Sequence, residues 1–264
     1  MKHLFHLFLL SLLIVSTASA QKISSAFFDH VDQFMKSEVE NGLIDYGALK
    51  SNTRLSAIIK KINTADLSLL DAQSVKAFYI NAYNLQVINE ITKAYPIDSP
   101  QDVNGFFDRM KVVVANEKMT LNSLEKKNLL NVYNDGRLHF VLVCGAHGCP
   151  PITSFAYKPE VLEQQLESQT ILALNDPDFI KVDGNKTELS EIFDWYPSDF
   201  GGSKSNIIYY INTYRKNPIN KSTKISYYTY DWTLNDVNNA TNEVDEVVTK
   251  GNNATRYIVS STVP

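Results

Sequence analysis

The chain holds two cysteines, and both lie in one stretch, HFVLVCGAHGCPPI, residues 139–152. Cys144 and Cys149 stand there with His139 and His147. Three chemistries fit those residue types. The first is a disulfide: the cysteines enclose four residues, and Gly145 and Gly148 let so short a loop fold back on itself. Chain entropy gives a bridge of that span about 2 kcal/mol. The second is a metal site, since two imidazoles and two thiolates are the number and kind of ligands structural zinc takes. Against it, zinc ligands usually come as two separated pairs, and these four fall within eleven residues. The third is a thiol nucleophile, Cys149 or Cys144, with His139 as its base, which needs a lowered thiol pKa. If the run before the cysteines is a regularly alternating strand, His139 points away from Cys144. A loop residue such as Cys149 can still swing back to it. The three chemistries stay open on the sequence alone.

The elements that must position this loop are legible from periodicity. SSAFFDHVDQFMKSEVENG puts Phe27, Phe28, Val31, Phe34 and Met35 at helical spacing, with a stop at Gly42. The region from 24 to 60 reads as helical, with His30 beside the apolar face as a partly exposed helix residue. SVKAFYINAYNLQVINEITKAYP predicts a largely buried helix capped by Ser74 and ended before Pro96. Asn81 and Asn84 fall within its apolar sector, and a buried amide left unpaired costs about 1–3 kcal/mol. They either clamp a neighbouring loop or strand or line a site, and the clamp is the commoner use. KVVVANEKMTL predicts a hairpin turning at Asn116-Glu117, followed by a short helix in TLNSLEKKNLL. RLHFVLVCG predicts a strand buried on both faces. KPEVLEQQLESQTILALND is an amphipathic helix, FIKVDGNKTELS a hairpin at Asp183-Gly184, and SEIFDWYPSDFG a short helix. A further helix, SNIIYYINTYRKN, leads to an edge strand in KISYYTYDWTLND.

Three of these segments, AFYINAYNLQVI, RLHFVLVCGAHGCPPI and LSEIFDWYPSDF, resemble the motifs of the Domain of Unknown Function 547 family, and YDWTLND looks like the end of its secreted bacterial members. The resemblance runs from Ser74 to Asn235. It implies a domain with no established reaction and singles out Asn81, Asn84, Glu125, His139, Cys144, Cys149 and Trp195. The chain departs from the family pattern twice. Lys126 stands where a histidine often follows the glutamate, which weakens a Glu–His pairing at Glu125. His147 stands where the loop often has Arg or Lys. A buried helix followed by antiparallel strands is also similar to a papain- or transglutaminase-like core, in which the cysteine would sit where this chain has Ala77 and Phe78.

MKHLFHLFLLSLLIVSTASA has a positive start, an apolar core and a small-residue end, so residues 1–20 are expected to be a signal peptide. The protein is then periplasmic or secreted, and no later segment is apolar and long enough to span a membrane. A composition of 44% hydrophobic and 20% charged residues supports one α+β domain over 21–236, with helices packed on a mainly antiparallel sheet. Residues 237–264 lose periodicity and read as a loosely ordered tail. A net charge of −4 gives no electrostatic footprint for nucleic acid. No phosphate loop, nucleotide fingerprint or serine elbow is present, and no cofactor or metal is expected. Two functions remain. One is a thiol-dependent hydrolase or acyltransferase on amide bonds, with Cys149 or Cys144 as nucleophile, His139 as base and Asn81 or Glu125 orienting the site. The other is a non-catalytic binding module for a small-molecule or peptide-like ligand, with a structural Cys144–Cys149 disulfide.

Overall fold

A computed structural model of the protein describes residues 21–239. The expected signal peptide lies outside the described residues, as does the expected tail from residue 240 onward. Strand β1 (Gln21–Lys22) leads into helix α1 (Ser25–Glu38), whose buried face is the predicted set of Phe27, Phe28, Val31, Phe34 and Met35. The helical region expected to run to residue 60 breaks after Glu38. Asn41 and Gly42, both at positive φ, turn β2 (Val39–Glu40) back onto β3 (Leu43–Ile44) before α2 (Tyr46–Leu49) and α3 (Thr53–Asn63). After β4 (Ala65–Asp66), which pairs with β1, comes α4 (Ala72–Ala94).

Helix α4 is the axis of the fold. Asp71 caps it, accepting from the Ser74 amide, so the expected cap Ser74 lies one turn inside. Every residue from Ile80 to Asn89 is buried. A helix buried on all sides has to be covered on all sides, and its buried amides Asn81, Asn84, Gln86 and Asn89 need partners there. Around it α1, α3, β5 (Lys111–Val114) and β6 (Glu117–Thr120) form the first core, with Phe34, Ile62, Phe78 and Leu85 at its centre. The β5–β6 turn is Ala115–Asn116, both at positive φ, one residue earlier than expected. Helix α5 (Leu121–Glu125), a π-helical turn over Lys126–Leu130 and α6 (Asn131–Tyr133) follow.

The predicted strand RLHFVLVCG is not a strand. It is buried as expected, but Gly136–Phe140 is a 3₁₀ helix and the chain beyond it is irregular. Its backbone groups are paired without a neighbouring strand. Leu138 N–H donates to Asp135 O, Val141 N–H donates to Leu138 O, and the side chain of Asn84 serves Val141 and Val143. The second core lies beyond this segment. It is built from α7 (Leu162–Asn175), β7 (Ile180–Asp183), β8 (Lys186–Ser190), α8 (Ile192–Trp195), α9 (Lys204–Tyr214) and β9 (Lys224–Tyr228), around Phe140, Phe193, Phe200 and Ile211. The predicted β7–β8 hairpin forms, but it turns at Gly184–Asn185, one residue later than expected, and β9 is an edge strand, parallel to β8.

The class is α+β, but helix covers about 51% and strand 15% of it. The described strands form four separate sheets of two or three strands rather than one sheet beneath the helices. No described helix is long and apolar enough to cross a membrane. Cys149 and Tyr196 pack against both cores, so the cysteine loop lies on the seam between them.

Candidate functional site

The cysteine loop is held by its backbone. Gly145 has φ of 78°, and a Cβ there would collide with Ile91 of α4. A Cβ on Gly148 would meet the ring of Tyr230 and the carbonyl of Asp231, both at 2.9 Å. Those close approaches let the loop lie against the segment after β9. His147 N–H donates to Thr233 O at 2.9 Å and Gly148 N–H to Asp231 O at 2.8 Å. Asn235 N–H donates to Gly145 O at 3.1 Å, and Ala146 bridges Leu234. Thus the closing YDWTLND motif is the loop's binding partner within the chain.

Cys144 and Cys149 are paired as a disulfide, their Cα atoms 6.4 Å apart. Both residues are half-buried. The sulfur of Cys149 accepts from the Cys144 N–H at 2.9 Å and from the Tyr230 hydroxyl at 2.9 Å. The same hydroxyl lies 3.1 Å from the sulfur of Cys144. Tyr230 also packs its ring against Trp195 at 5.0 Å and Trp232 at 4.8 Å. Trp195 and Trp232 stack at 6.1 Å, and Trp195 is 44% exposed. The buried ring of Tyr230 therefore separates the bridge from the two tryptophans packed on it.

Behind it is a buried polar cluster. Glu125, at the end of α5, is 8% exposed and receives the hydroxyl of Tyr83 from α4 at 3.2 Å and that of Tyr196. Burial pushes its carboxyl pKa up, and the nearby His139 imidazole, Tyr83 and Lys126 only partly offset that. The Glu–His proximity does not need a histidine at 126, where Lys126 is exposed; it comes from His139. His139 is 6% exposed, and its Nε2 lies 2.7 Å from Asp199, whose pKa is lowered by that contact. The His139 ring packs 4.5 Å from Tyr196.

The expected site residues divide cleanly. Glu125, His139, Cys144 and Cys149 are brought to one region through Tyr196 and Tyr230. Asn81 is used elsewhere: its amide donates to Tyr157 O at 2.7 Å and Ala77 O at 2.8 Å, and its oxygen accepts from Tyr157 N–H at 3.0 Å. Asn84 likewise donates to Val141 O at 2.9 Å and accepts from Val143 N–H at 3.0 Å. Each amide behaves as one peptide group of a strand partner would, which is the clamp role. The four zinc-type ligands do not converge, because the sulfurs bond each other and His139 faces Asp199. Tyr83, Tyr196, Asp199 and Tyr230 were not anticipated. All four lie inside quoted motifs, but nothing in their local sequence marks them as neighbours of Glu125, His139 and the cysteines.

Residues 67–171 match the family model described as "Protein of unknown function, DUF547". This segment belongs to the Domain of Unknown Function 547 family. The family segment holds both asparagines, Glu125, His139 and both cysteines, and it ends before Trp195, Asp199 and Tyr230. The second half of the site therefore comes from chain outside the match. No curated protein and no solved structure matches this chain.

Proposed function

We propose that the protein is an exported, non-catalytic binding module for a peptide-like or small-molecule ligand, with Cys144–Cys149 as its structural bridge. The observation that carries this is the closed bridge beneath Tyr230, whose buried ring backs the exposed Trp195 and the half-buried Trp232. Both sulfurs are consumed in one bond, and their hydrogen-bond partners are a backbone amide and a tyrosine, not an imidazole. The imidazole expected to act as base is turned to Asp199. Trp195 and the half-buried Trp232, backed by the buried Tyr230, offer the large, rigid, amphipathic rings that interfaces favour. The leading segment MKHLFHLFLLSLLIVSTASA supports an extracytoplasmic location, where a bridge persists.

Trp195 and Trp232 are the two tryptophans of the chain, so its tryptophan emission reports on this surface alone. Titration with a pool of N-acetylated peptides is expected to change that emission saturably, and Trp195→Ala is expected to abolish the change. An emission unmoved by the peptides, or moved equally in the variant, contradicts the reading.

A second reading, a thiol-dependent hydrolase or acyltransferase on amide bonds, is favoured by one observation. Glu125, an acid with a raised pKa, lies beside His139 in the region that holds the cysteines. It requires the reduced protein to release one equivalent of nitrophenolate from p-nitrophenyl acetate in a burst that depends on a single cysteine. The binding reading expects no burst.

A further inference from the structure

We propose that the Cys144–Cys149 bridge is also a thiol–disulfide exchange site, opened by a dithiol, with Cys149 as the sulfur that leaves. This goes beyond the binding reading, which asks only that the closed bridge shape the surface.

Three observations carry it. The first is access: both cysteines are half-buried rather than sealed in either core, so a small thiol can reach the bridge. The second is that the loop does not depend on the bridge for its position. Gly145, Ala146, His147 and Gly148 are each tied by backbone to the segment from Asp231 to Asn235. Opening the S–S bond leaves those ties in place, so exchange does not require unfolding. The third is an asymmetry between the sulfurs. Cys149 has two donors aimed at it, the Cys144 N–H and the Tyr230 hydroxyl, each at 2.9 Å. Cys144 has only the shared hydroxyl, at 3.1 Å. Donors directed at a sulfur stabilise its thiolate, and the better-stabilised thiolate leaves faster.

The step balances as follows. A thiolate of the dithiol attacks the sulfur of Cys144, forming a mixed disulfide there. The electron pair of the Cys144–Cys149 bond departs with Cys149, which becomes a thiolate held by its two donors. The second thiol of the reagent loses its proton and attacks the reagent's own sulfur in the mixed disulfide, expelling Cys144. The dithiol ends as a cyclic disulfide; two electrons and two protons end on Cys144 and Cys149. An oxidised partner carrying a disulfide reverses the sequence.

The test uses the native, oxidised protein at neutral pH. Treatment with glutathione, an acid quench and peptide mass spectrometry are expected to place the glutathionyl group on Cys144 and a free thiol at Cys149. Dithiothreitol is expected to reduce the bridge without denaturant, and the far-ultraviolet circular dichroism is expected to stay unchanged. Tyr230→Phe removes one of the two donors to the leaving sulfur and is expected to slow that reduction roughly three- to tenfold. If Tyr230→Phe does not fold, the glutathione position on the wild-type protein decides alone. Reduction that occurs only in denaturant, glutathione carried on Cys149, or an unchanged rate in a folded Tyr230→Phe overturns the proposal.

Discussion

Two carboxylates ten positions apart, the buried Glu125 and the half-buried Asp135, have opposite surroundings. Asp135 faces cations: Lys76, itself buried, donates to it at 2.8 Å, and Arg137 grips it with Nε at 2.9 Å and a terminal nitrogen at 2.8 Å. Glu163 closes the network from α7. Burial alone would raise the Asp135 pKa, but those hydrogen bonds and charges hold it down at about 2. Glu125 faces tyrosine hydroxyls instead, and burial dominates, so its pKa goes up. A carboxylate with its cations supplied has been used to fasten α4, the 3₁₀ turn and α7 together. A carboxyl kept short of cations, beside a His–Asp pair and a half-buried bridge, is poised to respond to whatever reaches it.

The largest effect is expected at the fastened end. Asp135→Asn leaves Lys76 as a buried charge with Glu163 at 3.8 Å and the Tyr133 ring at 5.1 Å, and should cost about 3 kcal/mol in chemical denaturation. The sign of the pH dependence follows from the lowered pKa. Asp135 contributes about 2 kcal/mol that is present above the ordinary carboxylate range and is lost as pH falls through about 2. The variant should lack that acid-side slope, and a variant with the wild-type slope would break the comparison.

Next in size are the clamps. Asn84→Ala strands Val141 O and Val143 N–H, and Asn81→Ala strands both groups of Tyr157; each should lower stability by about 1–3 kcal/mol. Unchanged denaturation midpoints would mean those backbone groups find water. Removal of the bridge by Cys144→Ser should cost about 2 kcal/mol or less, because the closed loop is short. The smallest effect is expected at Glu125 and has the opposite sign. Its raised pKa means that ionisation costs stability as pH rises through and above the ordinary carboxyl range. Glu125→Gln should therefore be more stable than wild type near pH ~8, with the gain fading near pH ~4, where the native group holds its proton. A destabilised variant at high pH would show that the ionised carboxylate is wanted.

Much of the frame was legible because it is local. The apolar stripe of α4 marks a buried helix, and asparagines inside that stripe must find backbone partners. The Asp-Gly-Asn run marks the β7–β8 hairpin, which turns at Gly184–Asn185. The run before the cysteines misled for a physical reason: burial was read correctly, but a side-chain amide, Asn84, replaced the strand that would have paired it. Local pattern also brings out the cysteines and His139, which share one motif, while Glu125 is singled out only by the family resemblance. It could not show that Tyr83, Tyr196, Asp199 and Tyr230 surround them. Those contacts join residues 42 to 86 positions apart and depend on how two cores meet.

The central claim is that the cysteine pair is closed and shapes a surface rather than attacking a substrate. The most direct test is alkylation of the native protein with iodoacetamide followed by mass spectrometry, with and without prior reduction. The account predicts no label on Cys144 or Cys149 before reduction and two labels after it. A label on either cysteine without reductant would contradict it, because a thiol would then be free in the resting protein.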